Sequence, residues 1–143
     1  MALKQIDHGS EEYQQMVLLR YEMLRRPLGL NFAPDELDKE KEDILIGAYE
    51  EEELLGCCML TPVSEDTVRL RQMAVHQKLQ GKGIGASLMR FAENLARDRG
   101  FCSLIMHARK TAIGFYEKQG YQTKGDEFLE VTIPHYVMEK ILR

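Results

Sequence analysis

A glycine-rich loop set between a strand pattern and a helix pattern is the feature of this sequence that most restricts its fold. The loop reads QGKGIG over residues 80–85; a strand-like alternation precedes it over residues 68–74, and a helical apolar face follows over residues 84–95. Glycine lets successive backbone N–H groups turn toward one point, and the start of a helix adds unpaired N–H groups and the positive end of its dipole. The arrangement therefore predicts a seat for a phosphate group.

Two common phosphate-binding motifs fit this loop poorly. In a P-loop the Gly-Lys pair is followed by Ser or Thr and preceded at a fixed spacing by another glycine, whereas here Gly83 follows and His76 precedes. The string GKGIGA at residues 81–86 does match a dinucleotide-binding pattern. That fold expects an acidic residue where the chain has His107, and the chain after the loop is too short for its two halves. A nucleoside triphosphatase is disfavoured, and a dinucleotide-binding module is a distant alternative.

The remaining sequence alternates between strand and helix patterns. Strands are predicted at residues 3–7, 44–49, 54–63, 101–107, 121–124 and 131–142. Helices are predicted from Ser10 to near Pro27 or Gly29, from the glycine loop to Gly100, and over residues 110–119, with a short one opened by Pro34. The apolar run at 101–107 is typical of a strand buried on both faces. The length of the chain favours a single domain over residues 1–143.

Two motifs between residues 71 and 121 connect the chain to a known family. The first, RQMAVHQKLQGKGIGASLMRFAENLA, contains the pattern [QR]-x-x-G-x-[GA], met by Gln80, Gly83 and Gly85. The second, ARKTAIGFYEKQGY, contains A-x-x-F-Y-x-K-x-G-[FY], met by Ala112, Phe115, Tyr116, Lys118, Gly120 and Tyr121. The pair, in this order, resembles the signatures of the GNAT N-acetyltransferase superfamily. The ending FLEVTIPHYVMEKIL is similar to that of small bacterial acetyltransferases of unassigned substrate.

The resemblance implies both a fold and an activity. The fold is α/β, with a mixed, mostly antiparallel central sheet of six to seven strands flanked by helices. The activity is transfer of the acetyl group of acetyl-CoA to an amine of a small molecule or a protein, by direct attack within a ternary complex. A noncatalytic acyl-CoA-binding or sensing module, which keeps the phosphate seat without the chemistry, is the alternative. The family also suggests a homodimer.

The same resemblance assigns residues to acetyl-CoA. The backbone of Met73, Ala74 and Val75 would pair with the pantetheine arm as a false strand. The pyrophosphate would be wrapped by the loop residues Gln80, Gly81, Lys82, Gly83, Ile84 and Gly85. Further contacts with the cofactor are expected from Ala112, Phe115 and Lys118, while Lys82, Lys110 and Lys118 could meet its remaining phosphate charge. Arg109 stands where the family often has an asparagine that binds the pantetheine arm.

Acetyl transfer needs a residue that removes a proton from the amine, since an alkylamine of pKa near 10.4 is only about 1 part in 2,500 neutral at pH 7. Candidates for this base near the ends of the later strands are Glu127, Glu130, His107 and His135, of which Glu130 and His135 are preferred. Tyr116 matches the family's general acid, which protonates the departing thiolate. Phe115 beside it is expected to fill the packing role in the core.

Charge and composition narrow the partners and the location. Residues 1–56 carry a net charge of −8 and residues 57–143 one of +4, which argues against nucleic-acid binding and places an anionic small molecule in the second half. The acidic first half mildly favours a cationic acceptor. No metal site is expected, and the apolar segments are too short for a membrane span or a signal peptide, so a cytoplasmic protein is predicted. Cys57, Cys58 and Cys102 are expected to be buried free thiols.

Overall fold

The computed structural model describes residues 1–142, whose strands form one seven-stranded sheet. In chain order the strands are β1 (Ala2–Ile6), β2 (Ile44–Glu50), β3 (Glu53–Pro62), β4 (Thr67–Val75), β5 (Ser103–Arg109), β6 (Gln122–Glu130) and β7 (Ile133–Ile141). Across the sheet their order is β1-β2-β3-β4-β5-β7-β6. Neighbouring strands are antiparallel except β4 and β5, which are parallel. The predicted mixed, mostly antiparallel sheet is confirmed.

Three α-helices flank the sheet: α1 (Glu11–Arg20), α2 (Ile84–Asp98) and α3 (Ile113–Lys118). Ser10 begins α1 by accepting a hydrogen bond at its Oγ from the Tyr13 N–H at 3.1 Å, which satisfies one of the unpaired amides of the first turn. The chain continues from α1 through a π turn and a 3₁₀ turn as far as Gly29, close to the predicted end. Within the described residues, no helix combines the length and the apolar character needed to cross a bilayer.

Apolar side chains pack on both faces of the sheet. On one face α2 and α3 cover a cluster that includes Cys58, Leu88 and Tyr116. On the other face α1 covers a second cluster, which includes Cys57 and Met16. The two adjacent cysteines of β3 belong to opposite clusters because successive side chains of a strand point to opposite faces.

A β-bulge in β4 separates β4 from β5 over half of their length. The register between β3 and β4 shifts so that Gln72 and Met73 both lie opposite Cys58, and Gln72 takes a left-handed φ of 57°. The parallel ladder between β4 and β5 covers only residues 67–70 and 103–106. Beyond Leu70, therefore, β4 has a backbone edge that faces away from β3 and is not paired with β5.

The structure corrects several sequence-based expectations about individual segments. Pro34 begins a turn, and a 3₁₀ helix follows only at Asp38–Glu42. Strand β6 extends to Glu130, well beyond the predicted residue 124; it is a mostly exposed edge strand, so its sequence carries no apolar alternation. Strand β5 is buried only at alternating positions toward its end, because one of its faces lines an open cleft. Cys102 is exposed, whereas Cys57 and Cys58 are buried as predicted.

A buried ion pair fastens the segment between α1 and β2 to the helix. Arg20 and Glu40 are 0% and 2% exposed, and their side chains form two hydrogen bonds, Nη1 to Oε1 at 2.8 Å and Nη2 to Oε2 at 2.6 Å. The Tyr13 hydroxyl donates a third hydrogen bond to Glu40 Oε1 at 2.7 Å. Burial alone would raise the pKa of Glu40, but the hydrogen bonds and charge of Arg20 outweigh it and hold that pKa below its usual value.

Replacing Glu40 with glutamine should therefore destabilise the protein by about 3 kcal/mol or more, because the Arg20 guanidinium would stay buried without its counter-charge. Urea denaturation at pH 7 measures the change. The control is Glu22→Gln, which removes the same group from the exposed ion pair with Arg26 and should shift the midpoint far less.

The same comparison should depend on pH in a defined direction. A carboxyl group whose pKa is lowered by folding stabilises the protein above its unfolded pKa, about 4.5 here, and this contribution is lost as the pH falls through the lower folded value. The stability difference between wild type and Glu40→Gln should thus shrink on acidification below pH 4.5. A difference that stays constant, or a Glu40→Gln variant as stable as Glu22→Gln, would show that the pair does not hold the segment.

Candidate active site

A cleft of about 1050 Å³ opens where β4 and β5 part. Its floor is formed by the second half of β4 and the end of β5, and its sides by the glycine loop, the beginning of α3 and the β6–β7 hairpin. One wall of the cleft is formed by residues that follow α1: Met23, Leu24, Arg25, Leu28 and Leu30. Residues 31–41 do not line the cleft and instead pack against α1 through Glu40.

The glycine loop presents a run of unpaired amides at the edge of this cleft. Six successive N–H groups, from Gly81 to Ala86, have no hydrogen-bond acceptor within residues 1–142, and the first helical bond of α2 runs from the Ser87 N–H to Gly83 O at 3.1 Å. Gly81 and Gly83 have φ angles of 83° and 84°, a left-handed conformation that side chains other than glycine adopt at a cost. The loop thus combines glycine geometry with the positive end of a 15-residue helix.

Two glycines allow the close packing that places this loop. A Cβ built on Gly56 of β3 would lie 3.1 Å from Ala74 O and 3.1 Å from side-chain atoms of Ile84 and Leu88, so the missing side chain lets α2 approach the sheet. A Cβ on Gly85 would lie 3.2 Å from Phe115 Cζ. The first turn of α2 and the aromatic ring at the start of α3 are therefore in direct contact across the cleft.

Most residues predicted to bind the cofactor line this one cleft. They are Met73, Ala74, Val75, Gln80, Gly81, Gly83, Ile84, Gly85, Arg109, Ala112 and Phe115. Lys82 and Lys118 are exposed and lie outside its lining, and Lys110 forms an ion pair with Glu127 at 2.9 Å.

The free edge of β4 faces the cleft with its backbone groups. The His76 N–H donates to Leu55 O of the neighbouring β3 at 3.0 Å, so the N–H and C=O of the preceding residue, Val75, point the opposite way. The Gln80 side chain supports this orientation, because its Nε2 donates to Val75 O at 3.2 Å from the cleft side.

Tyr116 lies in the apolar wall of the cleft. It is 8% exposed, it belongs to the core cluster under α2, and its hydroxyl makes no hydrogen bond with residues 1–142. Burial, with a smaller contribution from Cys58, raises the pKa of Tyr116 to about 12. The prediction that Phe115 packs in the core is wrong, because Phe115 is 38% exposed. Tyr116 itself occupies the core position and also lines the cleft.

Four polar side chains meet on the opposite side of the cleft floor. Glu130 Oε1 lies 2.9 Å from His107 Nδ1 and 3.8 Å from Arg69 Nη2, and Glu130 Oε2 lies 3.6 Å from His135 Nε2. The His135 Nδ1 lies 2.7 Å from Ile133 O, to which it donates, so that its Nε2 is the nitrogen directed at the carboxylate. Burial would raise the pKa of Glu130, but His107, His135 and Arg69 together lower it.

The structure separates the candidate bases. Glu130, His107 and His135 all line the cleft, and His135 is 4% exposed. Glu127, by contrast, pairs with Lys110 outside the cleft. Sequence reasoning missed Arg69, because an arginine in a strand alternation gives no sign that the strand borders a cleft. The only available signal was that Arg69 and Arg71, two residues apart, share one face of β4.

Comparison with known proteins identifies the family. Residues 8–121 match the model of the acetyltransferase (GNAT) family. The uncharacterized N-acetyltransferase YjcF of Bacillus subtilis strain 168 is 32% identical over 107 residues, 74% of each chain. Two similar solved structures are a protein of Lactobacillus plantarum assigned as an N-acetyltransferase (TM-score 0.88, 23% identity, all of both chains) and an aminoglycoside 6'-N-acetyltransferase complexed with coenzyme A (TM-score 0.84, 16% identity, 100% and 98%). The chain therefore belongs to the GNAT acetyltransferase family.

Proposed function

We propose that the protein transfers the acetyl group of acetyl-CoA directly to an acceptor amine, both substrates being bound in the cleft between β4 and β5. The observation that carries this proposal is the run of six unpaired amides from Gly81 to Ala86 at the beginning of α2. Such a run, with the helix dipole behind it, favours a diphosphate. The predicted phosphate ligands Lys82 and Lys118 would contribute only at the exposed rim.

The free edge of β4 suits the pantetheine arm. The amide groups of the pantetheine arm can pair with the main-chain N–H and C=O of Met73 and Val75 as a neighbouring strand would, because β5 does not pair with these residues. Ala74 between them points its side chain into the core under α1. Arg109, Ala112 and Phe115 line the other side of the same passage. With the pantetheine so held, the Val75 N–H is a candidate donor to the oxyanion of the tetrahedral intermediate.

The polar cluster at Glu130 supplies the base. Making a primary alkylamine neutral at pH 7 takes about 4.6 kcal/mol, so a proton acceptor must lie close to the amine. The lowered pKa of Glu130 makes its carboxylate a weak final acceptor, whereas imidazoles in general titrate near neutral pH. We therefore assign proton removal to His135 Nε2, directly or through water, with the Glu130 carboxylate 3.6 Å away stabilising the imidazolium that forms.

Tyr116 then acts as a hydrogen-bond donor to the departing sulfur. With its pKa near 12 and a thiol near 8.5, full proton transfer would be uphill by about 3.5 units, or about 4.8 kcal/mol, if the thiol were in water. The leaving sulfur would occupy the same desolvated cleft, and burial also raises the pKa of a thiol, as at the neighbouring Cys58. This narrows the difference, so the tyrosine hydroxyl can stabilise the thiolate as it forms.

The Tyr116→Phe variant should bind acetyl-CoA with unchanged affinity by calorimetry but release CoA in the presence of amine about 10²-fold more slowly. The control is Tyr49→Phe, which removes another buried hydroxyl that lacks a partner within residues 1–142, from the core cluster under α1. It should leave turnover unchanged.

Three outcomes would contradict the proposal. If calorimetry detected no binding of acetyl-CoA, the proposed cofactor site would be refuted. Binding without amine-dependent CoA release by the wild type would favour the noncatalytic sensing module. Equal turnover by wild type and Tyr116→Phe would remove the tyrosine from the mechanism.

Replacing Glu130 with glutamine should lower kcat/KM by about 10²-fold, because the imidazolium formed during the reaction would lose the carboxylate that stabilises it. Initial rates of thiol release from acetyl-CoA measure the effect. Glu127→Gln is the matched control, since Glu127 is on the same strand but pairs with Lys110 outside the cleft. A kcat/KM of Glu130→Gln equal to that of Glu127→Gln would show that this carboxylate does not act on the base.

A further inference from the structure

The cleft is lined by several cationic side chains. Arg25, Arg69, Arg71 and Arg109 all line the cleft, and among the lining residues the structure gives, Glu130 is the single carboxylate. This distribution is opposite to the net charge of −8 on residues 1–56, which had favoured a cationic acceptor. The acidic residues of that half face elsewhere, so overall charge is a poor guide to this surface.

Three of these arginines, Arg25, Arg69 and Arg71, differ in how far their charge is already neutralised by partners. Arg25 forms two hydrogen bonds with Glu36, at 3.0 and 2.6 Å. Arg69 Nη2 lies 3.0 Å from His107 Nδ1 and 3.8 Å from Glu130 Oε1. Arg71 has only one hydrogen bond, from Nη1 to Thr61 Oγ1 at 3.4 Å, and forms no ion pair within residues 1–142.

Arg71 and Arg69 belong to the same surface. They lie two residues apart on β4, opposite Met59 and Thr61 respectively, so their side chains project from the same face of the sheet about 7 Å apart. Burial and the like charge of Arg71 lower the pKa of Arg69, which agrees with this proximity. The carboxylates of Asp43 and Glu40 interact with the charge of Arg71 at longer range, but neither lines the cleft.

Arg71 is also distant from the proposed phosphate-binding site, the amides of residues 81–86. It precedes the bulge at Gln72, and Val75 lies four residues farther along the strand, a distance of about 13 Å before the chain even turns toward the glycine loop. A cofactor phosphate held by the amides of residues 81–86 would therefore leave Arg71 without a partner. Arg71 is on the Glu130 side of the cleft, where the acceptor amine has to lie.

We propose that Arg71, assisted by Arg69, binds an oxyanion of the acceptor, so that the substrate is an amine that carries a carboxylate or a phosphate. This inference rests on the proposed function. An arginine fork matches the two oxygens of either group, and the distance of about 7 Å between the two arginines is within the length of a small molecule. The apolar wall formed by Met23, Leu24, Leu28 and Leu30 would contact the part of the acceptor between its amine and its anion.

A polycationic acceptor such as a polyamine or an aminoglycoside would meet repulsion at this surface.

The experiment compares paired amines that differ only in the anionic group. The pairs are leucine with leucinamide, β-alanine with β-alaninamide, and phosphoethanolamine with ethanolamine, and spermidine and kanamycin serve as cationic amines. Thiol release from acetyl-CoA is measured with wild type, Arg71→Gln, Arg71→Lys and the control Arg90→Gln, which changes an exposed arginine of α2 outside the cleft. The change in kcat/KM from wild type to variant is determined for each amine and compared within the pair, so the difference in amine pKa between the two members cancels.

We expect Arg71→Gln to lower kcat/KM for at least one anionic amine by about tenfold or more, while its neutral partner changes by less than about twofold. Arg71→Lys should be intermediate, because it keeps the charge without the two-pronged geometry. The KM for acetyl-CoA should be the same in all four proteins. Whether the amino acids or phosphoethanolamine show the effect distinguishes carboxylate from phosphate.

Several results would overturn the inference while leaving the proposed function intact. These are equal losses for both members of every pair, fastest turnover with spermidine or kanamycin, or a raised KM for acetyl-CoA in Arg71→Gln. If no amine reacts although acetyl-CoA binds, leucine and phosphoethanolamine are titrated into the CoA-saturated wild type and into Arg71→Gln. Heat with wild type alone would support the oxyanion site, and no heat with either would overturn it.

Discussion

The separation of β4 from β5 is the constraint on which the rest of this structure depends. A continuous parallel ladder would bury the backbone edge of β4 and close the space between the strands. The extra residue at Gln72 ends that ladder after four pairs and leaves the following backbone groups facing an open cleft. The amide run of the glycine loop, the side chain of Tyr116 and the cluster around Glu130 come from different parts of the chain, and they line one cleft because both strands border this gap.

The sequence predicted those features whose patterns are local. Alternation and helical periodicity located most strands and the helix after the glycine loop, and the spacing of glycines around Lys82 located the amide run. The bulge was not predictable, because residues 68–74 alternate regularly and Gln72 is not a residue type that favours a left-handed φ. Strand β6 was underestimated for the opposite reason, since an exposed edge strand needs no apolar pattern. Single-domain organisation and the individual ligand roles stay predictions.

Side-chain roles that depend on distant neighbours were the hardest to predict. Helical position alone could not show that Phe115 would be exposed and Tyr116 buried, because Tyr116 is buried in a cluster that includes residues of β3 and α2, which belong to other parts of the sequence. Charge is a similar case. The acidic first half suggests a surface for cations, yet Glu36 and Glu40 of that half pair with Arg25 and Arg20, and the groups that face the cleft are mostly basic. Net charge describes the long-range field, whereas the site is determined by which charges lack partners.

Gly56 gives the glycine loop its position although it belongs to a different strand and touches no candidate substrate. Its missing side chain leaves room for Ile84 and Leu88, so the height of the helix above the sheet is set by one hydrogen atom where any other residue has carbon. A methyl group there would push the first turn of α2 away from the sheet and tilt the row of amides relative to the edge of β4. The amides of the glycine loop and the free edge of β4 would then change their positions relative to each other, although every residue in both would be unchanged.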